Sequence, residues 1–318
     1  MAPRKPKKQK TKEQLPEGMT RREAKLAARA AEREQFAKDP RPFGGLAAEA
    51  DLIALQEFVP SAVAAFEVNG TPVNIVTVLP GAGAAMVRPE EEGGERFVAL
   101  QVQSHSQNPG RDLAYALAWV LEAKPGESLA STVADGTQPE LTSLVGASAL
   151  PAITEHQDFD WWFADGSALP AEVRQALARA NDAVMPSTQI KAASGDAIPG
   201  SAWWVNPGGG KAHIRWVRGE DNEDKMLAAL ARIAARGELN LGEGTKFAGA
   251  FRTHGVVVPV WDLDPAVDPI ADEAPAAAYA EALTALNEKI VAEYASDAQL
   301  NADERKQLDN IKSRQVTI

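Results

Sequence analysis

Cysteine is absent from the 318 residues. That excludes disulfide staples, thiolate zinc sites, iron–sulfur clusters and cysteine nucleophiles. Histidine is scarce: His105, His156, His213 and His254 are the full set, and no His-x-x-x-His or His-Glu-x-x-His pattern brings two of them together for a metal. No run of about 18 uninterrupted apolar residues occurs, so no bilayer-spanning helix is expected. The first residues carry charge without an apolar core, so no secretory signal is expected and the cytoplasm is the expected compartment. What is present is an ordinary globular composition, 45% apolar and 24% charged, with enough chain to bury a core.

Charge is unevenly spread. Residues 1–41 hold 13 of the 33 basic residues and 6 of the 44 acidic ones, a net of +7, and the rest of the chain carries −18. A basic arm on an acidic body suits contact with a polyanion or an acidic protein surface. The body's own field repels nucleic acid.

Residues 1–18 contain Arg4, Lys5, Lys7, Lys8, Lys10 and Lys12 and almost nothing apolar, so disorder is expected. Thr20 and Glu23 form a capping box ahead of an Ala-rich helix to Lys38, with Arg22, Lys25, Arg29 and Arg33 along one face. Asp39-Pro40-Arg41-Pro42 ends that segment. Beyond it the periodicity gives an amphipathic helix over 47–58 and strands at 62–68 and 73–79. Asn69-Gly70 makes a tight hairpin between these strands. A strand at 97–103 and a helix from Asp112 to Ala123 complete the first half. The second half offers a helix over 170–185, strands at 201–205 and 212–217, a helix over 221–236 and a strand at 255–263 whose Pro259 suggests an edge or a bulge. Two helices close the chain, the second opening with a capping box from Asn301 to Glu304. The expected fold is α+β: a basic tail over 1–41, two similar units of hairpin, strand and helix over 42–150 and 151–264, and a linker with a C-terminal helical pair over 265–318.

Complete catalytic motifs are missing. Gly208-Gly209-Gly210-Lys211 lacks the first glycine and the hydroxyl of a phosphate loop, with Val205 and Ala212 in those places, and reads as a hairpin turn. Gly81-Ala82-Gly83 lacks the third glycine of a dinucleotide fingerprint and reads as a surface loop. Ser104-His105-Ser106 has no nucleophile elbow. Either Glu155 or Asp158 could form an acid–base pair with His156 in a cleft, but the segment through Trp161-Trp162 reads better as a strand edge with its tryptophans on opposite sides. Trp203, Trp204 and Trp216 read as core. Ala85-Met86-Val87-Arg88 echoes a biotin-attachment tetrapeptide with Val87 in place of the acceptor lysine.

The stretches Arg41–Leu46, Ala50–Pro60, Val78-Leu79-Pro80, Leu100–Gln103, Gly110–Ala114 and His254–Leu263 resemble an actinobacterial family of unknown function. Its members are sometimes labelled as relatives of the preprotein translocase SecA or of topoisomerase. The chain has neither a nucleotide-binding loop nor a cysteine metal motif to match those labels. The resemblance implies an actinobacterial cytoplasmic protein and says little about activity.

The resulting expectation is a non-enzymatic regulatory protein without cofactor or metal. It would bind a protein complex or nucleic acid through Arg4, Lys5, Lys7, Lys8, Lys10, Lys12, Arg22, Lys25, Arg29 and Arg33. Membranes and small molecules are not expected partners. Ala85 and Met86 join the expected contacts if the partner is a biotin-dependent acyl-CoA carboxylase, which a lysine-less carrier loop would inhibit as a decoy. The alternatives are a ribosome- or nucleic-acid-associated factor, and a small hydrolase or transferase using the 155–165 segment.

Overall fold

The computed structural model describes Thr20, Arg22, Lys25 and Leu26, and residues 38–317 apart from 133–135, 147–149, 151, 165–168, 193–197, 209, 211, 265 and 267–278. Contacts divide the chain into Met1–Lys38 and Asp39–Ile318. In the first unit Arg22, Lys25 and Leu26 are helical and exposed, as the charge spacing predicts. Arg4, Lys5, Lys7, Lys8, Lys10, Lys12, Arg29 and Arg33 lie outside the described residues.

The second unit is α+β, with two six-stranded sheets. The first sheet begins with β1 (Ala62–Val68) and β2 (Thr71–Val76), paired antiparallel so that Val68 faces Thr71. Asn69 and Gly70 take φ of 52° and 78° in the two-residue turn between them. Such a turn requires positive φ at both places, which Asn-Gly meets at little cost. Next come β3 (Ala85–Val87), β4 (Arg96–Ala99), α2 (Pro109–Glu122), β5 (Ser128–Leu129), α3 (Leu141–Val145) and β6 (Ile153–Glu155), while α1 (Glu49–Glu57) precedes the sheet. The sheet order is β5-β3-β4-β2-β1-β6. The second sheet follows α4 (Ala171–Asn181). It comprises β7 (Ser187–Gln189), β8 (Ser201–Val205), β9 (Ala212–Val217), β10 (Thr245–Thr253), β11 (Val256–Leu263) and β12 (Val316–Thr317), in the order β12-β10-β11-β9-β8-β7. Helices α5 (Glu223–Ala235), α6 (Ala280–Tyr294) and α7 (Ala302–Ser313) complete the unit.

Both sheets contain a hairpin whose second strand borders the last of the next two, in the orders β1-β2-β4-β3 and β8-β9-β11-β10. The likeness stops at direction, since β2 and β4 are parallel whereas β9 and β11 are antiparallel.

Helix α1 is not the amphipathic helix expected from its pattern. Leu52, Ile53, Ala54 and Leu55 are all fully buried. No residue of the helix is exposed, and its carboxylates Glu49, Asp51 and Glu57 are each hydrogen-bonded. One buried cluster joins α1 to Ala62, Ala64 and Ile75 of the first sheet, to Leu113 and Leu117 of α2, and to Trp203, Val205, Val217 and Val258 of the second sheet. The other face of the second sheet sets Trp204, Ile214, Trp216 and Trp261 against Leu227 and Leu230 of α5 and Leu283 and Leu286 of α6. Strand β8 is therefore buried on both faces, which explains its unbroken apolar run. The tryptophans at 203, 204 and 216 are core residues, as expected.

Pro259 lies neither at an edge nor in a bulge of its own strand, because β11 runs between β10 and β9. Its ladder to β9 begins only at Val260, and the register shift falls in the facing strand between Phe247 and Gly249. A residue without N–H interrupts the ladder, and the neighbouring strand adapts.

Candidate functional site

The segment richest in polar and aromatic residues is not a strand edge. Asp160–Trp162 forms a single 3₁₀ turn, and both indoles are tied down. Trp161 Nε1 donates to Ser61 Oγ at 2.9 Å and Trp162 Nε1 to Val78 O at 2.9 Å. Trp161 lies on the outer face of the first sheet with Val76, Leu79 and Phe97. His156 stands 5.7 Å from the Trp161 ring, and burial holds its pKa below the ordinary histidine value while Asp158 pulls it up. Asp158 is occupied in its own turn, accepting from Asp160 N at 3.0 Å.

Glu155 faces away from that group, toward the second sheet. Its Oε1 accepts from Gln189 N at 2.8 Å, linking edge strand β6 to edge strand β7. Gln189 Nε2 in turn donates to Asp51 Oδ1 of α1 at 3.1 Å, and Ser201 Oγ donates to the same oxygen at 2.6 Å. Burial raises the pKa of both Asp51 and Glu155, with opposition from these hydrogen bonds and from Lys191. Ser201 is 1% exposed and also accepts from Trp203 Nε1 at 2.9 Å. Its hydroxyl is fully committed and has no path to a substrate, so this network joins elements and holds no poised nucleophile. Sequence reading placed Glu155 beside His156 and missed Asp51, Gln189 and Ser201, which are distant in the chain.

A second convergence gathers stretches that the sequence resemblance had singled out. Arg41 makes a two-point ion pair with Glu49, at 2.6 and 2.7 Å, and donates to Gly219 O at 2.8 Å. Phe43 is 1% exposed and meets His254 edge-on at 5.6 Å, while His254 Nε2 is 2.6 Å from Glu57 Oε1. Asp39 N donates to Asn108 Oδ1 at 2.6 Å. Two glycines admit this strap. A Cβ on Gly110 would lie 2.2 Å from Pro42 O, and one on Gly255 would lie 2.5 Å from Pro40 O. Residues 39–43 are thus bolted to both halves of the body.

Ala85-Met86-Val87 is strand β3, hydrogen-bonded to β4 on one side and β5 on the other. The expectation of a carrier-like decoy loop is corrected: Ala85 and Val87 are each 2% exposed, and Met86 packs on the outer-face cluster of the first sheet. The buried alternation of an apolar strand had been read as a motif. Gly81, with φ of 68°, lies in a short turn before this strand. The Gly208–Lys211 stretch joins the antiparallel pair β8 and β9, where Val205 faces His213, so no helix follows it as a phosphate loop requires.

Two cavities among the described residues bear on binding. One of about 20 Å³, room for about one water, is lined by Gln56, His105, Asp112 and Thr132 among others. Asp112 Oδ1 and Thr132 Oγ1 are buried there without partners. The other, of about 320 Å³, lies between the end of α5, the start of β10 and the end of α7. Its walls include Leu239, Phe247 and Ile311, and Lys246 and Arg314 stand among its lining residues. No carboxylate lines it among the described residues. No group of three or more His, Asp or Glu that could hold a metal occurs among the described residues, and no described helix is long and apolar enough to cross a membrane.

A family model described as "Family of unknown function (DUF5926)" matches residues 42–318. No curated protein matches the chain, and no solved structure does.

Proposed function

The chain belongs to that family, and from its own charge and geometry we propose that it is a non-enzymatic interaction protein whose basic arm engages a larger, anionic partner. The observation that carries this reading is the division of charge, +7 on residues 1–41 against −18 on the remainder. The strap is compatible with it: Asp39 and Arg41, where the basic stretch ends, are hydrogen-bonded to the body. The polar side chains supply a second support. Asp51, Glu155 and Ser201 spend their hydrogen bonds on joining elements. The arm residues Arg4, Lys5, Lys7, Lys8, Lys10, Lys12, Arg22, Lys25, Arg29 and Arg33 are the proposed contacts. An actinobacterial, cytoplasmic setting accords with the motif resemblance and forms part of the same proposal.

Co-purification of the full chain and of a chain lacking residues 1–38, at about 50 and 200 mM salt, tests it. Partners should depend on the arm, and a nucleic-acid partner should be lost steeply with salt through counterion release. Retention of every partner by the shortened chain overturns the proposal.

A further inference from the structure

Part of the outer edge of β10 is an open strand border in the second sheet. Strand β10 spans nine residues, Thr245–Thr253, and is paired along its length with β11 on one side. On its other side β12 pairs only with Phe251 and Arg252. From Thr245 to Ala248 no strand borders it among the described residues; Thr245 N turns back to donate to Gly242 O at 3.3 Å, and the outward-facing backbone groups beyond it have no strand partner. The cavity of about 320 Å³ lies along this stretch, lined by Thr245, Lys246 and Phe247 on the strand side and by Asn310, Ile311 and Arg314 on α7. An open edge and a groove with an apolar floor therefore coincide.

The floor is built to take a side chain. Leu239 and Ile311 are buried beneath it, and the Phe247 ring is held edge-on to Trp261 with centroids 5.6 Å apart. The rim is basic: Lys246 and Arg314 are exposed, and neither is in an ion pair among the described residues. On a body of −18 the groove lining holds these two cations and no described carboxylate, while Asp262, 52% exposed, stands across the strand pair from Lys246. We propose that the β10 edge binds an extended acidic peptide segment of a partner protein, which adds as a strand to Thr245–Ala248, drops an apolar side chain between Phe247 and Ile311, and sets its carboxylates against Lys246 and Arg314. Backbone pairing supplies the affinity, and the groove and basic rim supply the selection. This surface is distinct from the basic arm and does not depend on the arm's role.

The test uses the full chain and a fluorescein-labelled hexapeptide of alternating glutamate and leucine, read by anisotropy and by amide exchange at 245–248. Saturable binding is expected, with slowed exchange at those amides. Methylating alternate peptide nitrogens, replacing glutamate by lysine, or combining Lys246→Glu with Arg314→Glu should each weaken binding at least tenfold. Absence of saturable binding at millimolar peptide overturns the proposal. So does binding indifferent to N-methylation, or an edge already occupied by a second copy of the chain and seen as a dimer that the peptide does not dissociate. Since the arm is untouched throughout, failure here leaves the arm's role standing, and loss of the arm leaves this binding intact.

Discussion

Gly110 and Gly219 make a matched pair of test positions at the strap. A methyl group on Gly110 meets the Pro42 carbonyl at 2.2 Å, while one on Gly219 meets nothing within 4 Å. Gly110→Ala should therefore cost about 2–3 kcal/mol because backbone must move, and Gly219→Ala should stay within about 0.5 kcal/mol. Urea unfolding of the two variants measures the difference. Asp51 offers a second prediction. Burial raises its folded-state pKa, so the folded protein holds this proton more tightly than the unfolded chain. That contribution is fully present below the ordinary carboxylate pKa and is lost as pH rises through the folded value. Asp51→Asn keeps an acceptor for Ser201 Oγ and Gln189 Nε2 and removes the buried charge. Its melting temperature should exceed the parent's at pH 7, with the gap closing toward pH 4. A variant that melts lower at pH 7 and unchanged at pH 4 would show the charge itself to be stabilising.

At the scale of elements, the local signals that specify ends and turns fared best. The capping box of α7 is present in full: Asn301 Oδ1 accepts from Glu304 N at 3.0 Å, and Glu304 Oε2 accepts from Asn301 N at 2.8 Å. Asn301→Ala should cost about 1 kcal/mol, seen as a lower urea midpoint at unchanged slope. The tight turn at Asn69-Gly70 and strands β8 and β9 were legible because their causes lie within a few residues. Helix α4 shows the opposite case. Its stripe of Val173, Leu177 and Ala180 is regular and half-buried, none of its residues is fully buried, and it is tied down by Asn181, which accepts from Phe159 N and donates to Asp160. Leu177→Ser should change stability by less than about 0.5 kcal/mol, since little burial is lost. Periodicity located the covered side correctly and did not tell how deeply it is covered.

For the whole molecule, the body from Asp39 onward holds its own core and its own strap contacts. Removing residues 1–38 should leave its melting temperature within about 1 °C by calorimetry, because the core and the strap contacts belong to residues from Asp39 onward. The sequence by itself determined the separation of arm and body, the α+β composition and most of the strands and helices, since charge balance, capping and short-range periodicity are written in neighbouring residues. Tertiary structure alone decided that α1 is enclosed on all sides, that Ala85–Val87 is an inner strand, and that Glu155 turns to Gln189 and not to His156. The β10 edge also lay beyond sequence reading. Each of these depends on which distant segment lies opposite, and burial and hydrogen-bond partnership across a hundred residues leave no local periodic trace.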